Sequence, residues 1–396
     1  MIAERARKVK SSPTLAVDSR AKQLRAKGMD VVNFGVGEPD FDTPEHIKEA
    51  AIKAIRDGFT KYTPVGGIDE LKEAIIEKLE RDNGLLYSKE NIIVSCGAKH
   101  SLYNIAQALF GPEDEVIIPA PYWVSYPDQV LLNDAKPVIV DTREEDDFML
   151  RAEALKEKIT PKTKAVILNS PSNPTGFIYT EKTLKEIAEI ALKNNFYIIS
   201  DEIYEKLIYD GERHISIASL SEEIKNKTIV VNGLSKSYAM TGWRIGYAAG
   251  PADIIKAMTK VQSQSTSNPT SIAQKAAVAA LRGPQECVEQ MRQEFEKRRN
   301  YLIRELNSIS GVSCKMPKGA FYAFPTVKDI FGKKADNVQI NSSMDLSIYL
   351  LEKAMVALVP GSAFGAEGYV RISYATSMEN LSKGIERIRN ALEELK

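Results

Sequence analysis

From residue 45 to about residue 280, short β-branched apolar runs alternate with stretches of helical periodicity, and this alternation limits the possible folds more than any other feature. The runs are IIV (92–94), EVIIP (115–119), KPVIV (136–140), KAVILN (164–169), FYIIS (196–200) and TIVVN (228–232). Each is too short for a helix and too apolar for a loop, so each predicts a buried strand. Between them lie amphipathic segments such as EKTLKEIAEIALKN (181–194), in which Leu184, Ile187, Ala188 and Ala191 share one helical face. Parallel neighbours in a sheet need a crossover, and these helices supply it, so the pattern predicts an open α/β sheet with mostly parallel strands. After residue 285 the character changes. A long charged helical stretch (286–308), GAFYAF, VALVP, YVRISY and a last amphipathic segment from about 377 to 395 predict a smaller α+β domain.

Composition narrows the function. The chain has 396 residues, 43% of them hydrophobic, enough for about two or three domains. Fifty-three Lys and Arg balance fifty-three Asp and Glu, so no charge excess points to nucleic acid or an anionic membrane, and a small-molecule ligand is expected. The three cysteines, Cys96, Cys287 and Cys314, show no CxxC spacing and suit a reducing cytoplasm. His46, His100 and His214 are far apart in sequence, which disfavours a histidine metal site or a catalytic triad. The start, MIAERARKVKSS, lacks an apolar stretch, and no 18-residue uncharged apolar run occurs, so secretion and membrane insertion are disfavoured.

In an open α/β sheet the ligand lies beyond the carboxyl ends of the strands, and chemically unusual residues stand there. Asp201 directly follows FYIIS. A carboxylate buried at a strand end costs several kcal/mol unless a cation meets it. Lys236 is one candidate, and the protonated ring nitrogen of a pyridine such as pyridoxal phosphate is another. An Asp that merely caps the junction is the plain alternative. Lys236 itself, in SKSYAMTGWRIG, could serve as a nucleophilic amine if desolvation or cations lowered its pKa from ~10.4, with Arg244 eight residues on as one such cation.

Gly97-Ala98 opens the helix-like KHSLYNIAQAL, and Ser235 with Arg244 adds a hydroxyl and a guanidinium, the parts of a phosphate site. Trp123 in PYWVSYP offers a flat ring face at a strand end, or is simply core. In NSPSNPTG the Asn173-Pro174 bond is a candidate cis peptide that would aim the Asn173 amide inward. Alternation in YVRISY sets Arg371 and Ser373 opposite Val370 and Ile372. Spacing alone favours solvent over a cleft for Arg371; in a cleft its fork would suit a carboxylate.

Taken together, NxxxNPTG, then DxxY, then SK followed by GWRIG, then RISY resemble the class I, fold-type I pyridoxal-phosphate aminotransferases over nearly the whole chain, and within them the bacterial Ib subgroup acting on aspartate. The resemblance implies a mostly parallel, seven-stranded open sheet with a smaller α+β domain. It also implies pyridoxal 5'-phosphate as cofactor, amino acids and 2-oxo acids as substrates, and a homodimer with shared active sites. Lys236 would join the cofactor covalently and shuttle a proton at the substrate Cα, with Asp201 on the ring nitrogen, Tyr204 and Asn173 on the ring's phenolic oxygen, and Trp123 stacked on the ring. Gly97, Ala98, Ser235 and Arg244 would hold the phosphate, joined by Tyr62 (in KYTPVGG) of the neighbouring subunit. Arg371, aided by Asn173, Trp123 and the Gly37 backbone in FGVGEPD, would grip the α-carboxylate.

The same resemblance gives Lys99 the distal carboxylate, because SQSTSNP (263–269) lacks the arginine that animal-type enzymes use, and it links Lys10 to prephenate use. Both are otherwise plain surface lysines. It divides the chain into a large domain, 45–285, and a small one built from 1–44 and 286–396, which could close on substrate. Prephenate transamination, a β-lyase on the same fold and a cofactor-sensing regulator are the competing readings. The last lacks any extra basic helix-turn-helix segment.

Overall fold

The computed structural model of the chain describes residues 2–9, 13–335 and 338–396. All six apolar runs are strands: β1 (Ile92–Ser95), β2 (Glu115–Ala120), β3 (Lys136–Asp141), β4 (Thr163–Asn169), β5 (Tyr197–Asp201) and β6 (Thr228–Gly233). A seventh strand, β7 (Gly246–Ala249), inserts between β1 and β6, giving the order β1-β7-β6-β5-β4-β2-β3. β7 runs antiparallel to both neighbours, and every other pairing is parallel. Its sequence, GYAA, has no β-branched residue and so escapes a reading based on β propensity. Small side chains are what the position requires, because a Cβ at Gly246 would run into the backbone of Gly97 and Ala98.

Helices cover both faces of this sheet. Ala98–Leu109 (α1) follows β1, Ser125–Leu131 (α2) follows β2, and Glu181–Asn194 (α3) precedes β5. In α3 the Thr180 side chain caps the first turn by accepting from the Thr183 amide, and Asn195 ends the helix in the left-handed region at φ 55°. The face predicted from spacing, Leu184, Ile187, Ala188 and Ala191, is buried against Val166, Leu168 and Ile198 of the sheet. Parallel register sets Asn169 beside Asp201 at the carboxyl ends of β4 and β5. Those ends form the rim on which the site is built.

The C-terminal part of the chain packs around a three-stranded antiparallel sheet of Tyr322–Ala323 (β8), Val359–Pro360 (β9) and Val370–Ser373 (β10), with β10 in the centre. Two long helices flank it, Glu286–Leu306 (α4) and Met378–Glu393 (α5). The N-terminal segment joins this body: Val32–Asn33 pairs in parallel with Val356–Ala357, and Val32 and Phe34 share a core with Leu302, Ile372 and Ile385. Arg371 departs from the solvent-facing expectation, since only 2% of it is exposed. The rings of Tyr322 and Phe364 cover its guanidinium, 4.5 and 5.0 Å from their centroids, so the face opposite Ile372 lines a cleft. No helix among the described residues is long and apolar enough to cross a membrane.

Gly384 lies in the middle of α5, where alanine is favoured by about 1 kcal/mol on helix propensity alone. Here the Phe34 ring occupies the place a methyl group would take. Gly384→Ala is therefore expected to destabilise the chain by about 1–3 kcal/mol through overpacking, read as a lower melting temperature. An unchanged or higher melting temperature would show that Phe34 yields without cost.

Candidate active site

Lys236 stands three residues beyond β6, in the turn that leads to β7. Its Nζ donates to the Gly37 carbonyl at 2.6 Å, so the N-terminal segment lies directly over the amine. Desolvation is the main reason its pKa falls, to about 8; Glu38 pulls it upward, while Arg371 and then Arg244 push it further down. Arg244 thus contributes to the field, as expected from its spacing, but Arg371 contributes more. The result is an amine with a substantial neutral fraction near neutral pH.

Asp201 ends β5 and is 4% exposed. Its Oδ2 accepts from the Tyr126 hydroxyl at 2.6 Å and its Oδ1 from the Ile203 amide at 3.3 Å. Burial raises its pKa to about 6 despite those two donors. Of the two cations weighed for it, Lys236 does not form an ion pair with it, and no other cationic side chain does among the described residues. The buried carboxyl therefore has an unmet demand for positive charge.

Arg371 presents the opposite demand. Its Nη1 donates to the Asn173 side-chain oxygen at 3.0 Å and its Nη2 to the Gly35 carbonyl at 2.7 Å, while the buried Nε has no partner. No carboxylate pairs with it among the described residues. Asn173, 6% exposed, is held in turn by its amide, which donates to Asn169 Oδ1 at 2.7 Å, and the Asn173–Pro174 bond is cis.

These groups meet in one cavity of about 360 Å³, whose walls include Lys236, Asp201, Arg371, Asn173 and Gly37. Tyr204 and Trp123 line it as well, and so do Ala98, Ser235, Arg244 and Lys99. Gly97 begins α1 with φ 90°, and a Cβ there would collide with the Arg244 guanidinium, so the glycine permits both the turn and the close approach. Arg244 is fixed by hydrogen bonds to the Thr241 carbonyl at 2.9 Å and the Cys96 carbonyl at 3.2 Å. Amide groups at a helix start beside an arginine form a site for a phosphate. The Lys99 ammonium sits 4.8 Å from the Trp123 ring centroid, its pKa lowered by loss of water and by Arg244.

Two expected residues fall elsewhere. Tyr62 is 91% exposed and does not line the cavity of its own chain. Lys10 lies outside the described residues. Tyr126 and Tyr322, which the motifs do not single out, also line the cavity, as does Asn169 at the head of NxxxNPTG. The Tyr322 hydroxyl lies 2.8 Å from that of Tyr204, and its ring covers Arg371. Tyr126 was readable only as a helical neighbour of Trp123, three residues on, and Tyr322 only as one aromatic among several in GAFYAF.

His214, isolated in sequence, meets Glu202 and Glu205 in space, with one ligand atom of each lying within 4.8 Å of the others. The Lys78 ammonium already pairs with Glu205, Ser200 and Ser216 donate to Glu202, and Asn83 and Asn232 donate to Glu205. The two carboxylates are thus tied into a buried ion-pair network rather than free as ligands, while the buried His214 Nδ1 has no partner.

Comparison with known proteins agrees with this geometry. The family model "Aminotransferase class I and II" matches residues 29–388. The chain is 55% identical to an aspartate aminotransferase of Geobacillus stearothermophilus over 99% of both chains, and 49% identical to an aspartate/prephenate aminotransferase of Nitrosomonas europaea, again over 99% of both. The crystal structure of the aspartate aminotransferase from Rhizobium meliloti superposes with a TM-score of 0.97 at 46% identity, covering all of both chains. With its seven-stranded sheet and its buried amine, acid and guanidinium around one cavity, the chain belongs to the class I and II aminotransferase family.

Proposed function

We propose that the chain transfers the amino group between L-aspartate or glutamate and a 2-oxo acid such as 2-oxoglutarate, in two half-reactions, using pyridoxal 5'-phosphate. One observation carries this reading. An amine, a carboxyl and a guanidinium, all without a partner of opposite charge, share one cavity with a helix start. Those unmet demands match a flat phosphate ester bearing an aldehyde and a basic ring nitrogen, together with a substrate carboxylate. When bound there, pyridoxal phosphate supplies an aldehyde that condenses with amines and a ring that withdraws electrons from the carbon next to nitrogen.

The side chains divide the work. Lys236 would hold the cofactor covalently and, as an amine whose pKa is lowered to about 8, would move the proton at the substrate Cα. Asp201 would hold the ring nitrogen, Tyr204 and Asn173 would donate to the phenolic oxygen, and Trp123 would stack on the ring. Gly97, Ala98, Ser235 and Arg244 receive the phosphate. Arg371, with Asn173, Trp123 and the Gly37 backbone, grips the α-carboxylate and so orients Cα for proton removal. Lys99 takes the distal carboxylate from the Trp123 side of the cavity. The exposure of Tyr62 supports a homodimer in which it completes the phosphate site of the other subunit. The proposed division is a large domain, 45–285, and a small one of 1–44 with 286–396, the proposed location is the cytoplasm, and Lys10 serves prephenate if that substrate is used. The Nitrosomonas europaea relative named for both substrates supports testing prephenate alongside aspartate.

Aspartate added alone to the cofactor-loaded chain is expected to shift the cofactor's visible absorbance to that of its amine form, and 2-oxoglutarate should reverse the change. If neither aspartate nor glutamate alters the spectrum, the dicarboxylate reading fails.

A further inference from the structure

We infer that Tyr126 is a positioning residue for this reaction: its hydroxyl fixes the Asp201 carboxylate as an acceptor turned toward the cofactor's ring nitrogen, and α2 ties that acceptor to Trp123. The inference rests on the role proposed above for Asp201. Tyr126 is 2% exposed, and its contact at 2.6 Å is the shortest hydrogen bond that Asp201 makes. The Tyr126 ring meets the Trp123 indole edge-on with centroids 5.3 Å apart, and the Tyr126 amide donates to the Trp123 carbonyl at 3.0 Å. Seven residues of helix therefore carry the group that holds the acid and abut the group that stacks on the ring. A shift of α2 would move both together.

The chemistry of the pair has one direction. Burial next to a carboxylate pushes the Tyr126 phenol well above its ordinary range, so it keeps its proton and acts only as a donor. Donation to Asp201 favours the ionised carboxylate, against burial, which favours the neutral acid. The other groups felt by Asp201 are Lys236 from the turn after β6, which favours ionisation, and Glu202 beside it, which opposes it. Tyr204, from the segment after β5, is a buried neutral phenol whose own pKa is raised, first by burial and in smaller part by Asp201. A neutral Asp201 could not hold a positive ring nitrogen.

Tyr126→Phe removes one oxygen and keeps the ring on Trp123. In the cofactor-free chain carrying carboxyl-labelled aspartate, the NMR titration of Asp201 is expected to move upward by about one pH unit, with roughly tenfold weaker cofactor binding. In the loaded enzyme the acid limb of kcat/KM should move the same way, starting from a lower pH because the ring nitrogen places a cation beside Asp201. A purely structural role predicts a lower melting temperature, an equal loss at every pH and an unmoved carboxyl titration; that result overturns the inference. Asp201→Asn separates the two levels. If that variant turns over normally, the proposed role of Asp201 fails and the inference with it; if it is inactive while Tyr126→Phe titrates like the unsubstituted chain, only the inference fails. Should Tyr126→Phe not fold, 3-fluorotyrosine at position 126, a stronger donor, must move the limb to lower pH, and an unmoved limb overturns the inference.

Discussion

Lys236→Ala is expected to reduce kcat by roughly 10⁴-fold or more, since it removes both the covalent attachment and the group that moves the Cα proton, and general base catalysis alone contributes about 10²–10⁴. The loss should be specific. Gly97, Ala98, Asp201 and Trp123 are on other elements, so the variant should still bind pyridoxal phosphate, without a covalent bond. The pH dependence of cofactor capture follows from the same amine. With a pKa lowered to about 8, about a tenth of Lys236 is neutral at pH 7, and the neutral form is the one that attacks an aldehyde. Capture by the cofactor-free chain, followed by stopped-flow absorbance, should therefore accelerate about tenfold per pH unit below 8 and level off above it. A rate still climbing at the same slope from pH 8 to pH 10 would mean an ordinary lysine.

Arg371→Lys keeps the charge and loses the fork. The guanidinium is buried, shares its Nη1 with Asn173, and has an unpartnered Nε. An ammonium cannot hold a carboxylate at two points, and a poorly met buried charge costs about 2–4 kcal/mol, or roughly 30- to 1,000-fold in kcat/KM for every amino-acid substrate. Because the α-carboxylate is common to all of them, aspartate and glutamate should suffer alike. Lys99→Ala should separate them from monocarboxylic substrates, because in the proposed site Lys99 meets only the distal carboxylate. Steady-state kinetics with aspartate, glutamate and alanine distinguish the two variants, and an Arg371→Lys enzyme with unchanged kcat/KM for aspartate would remove Arg371 from substrate binding.

Much of the architecture was legible in the sequence because a parallel sheet buries both faces of its strands. The six β-branched runs therefore stood out, while β7 did not: its glycine and alanines are dictated by the close approach of α1, a tertiary constraint with no local signature. The site residues near strand ends could be nominated for the same reason, since Asp201 directly follows one apolar run and Lys236 stands in the turn after another. Arg371 could not be placed by alternation, because period-two spacing separates two faces without saying which faces water. The Tyr322 ring that covers it is distant in sequence. Tyr126 and Tyr322 were invisible for a further reason. A tyrosine is ordinary core material until its hydroxyl is seen to have a partner, here Asp201 and Tyr204. The meeting of His214 with Glu202 and Glu205 likewise comes only from the chain's return after β5.

Covalent attachment at one amine is the central claim, and borohydride reduction of the cofactor-loaded chain followed by peptide mass spectrometry tests it most directly. The account predicts one modified peptide, containing Lys236 and heavier by the reduced pyridoxyl phosphate group, with Lys99 unmodified. An unaltered Lys236, or a label found on another lysine instead, would contradict it.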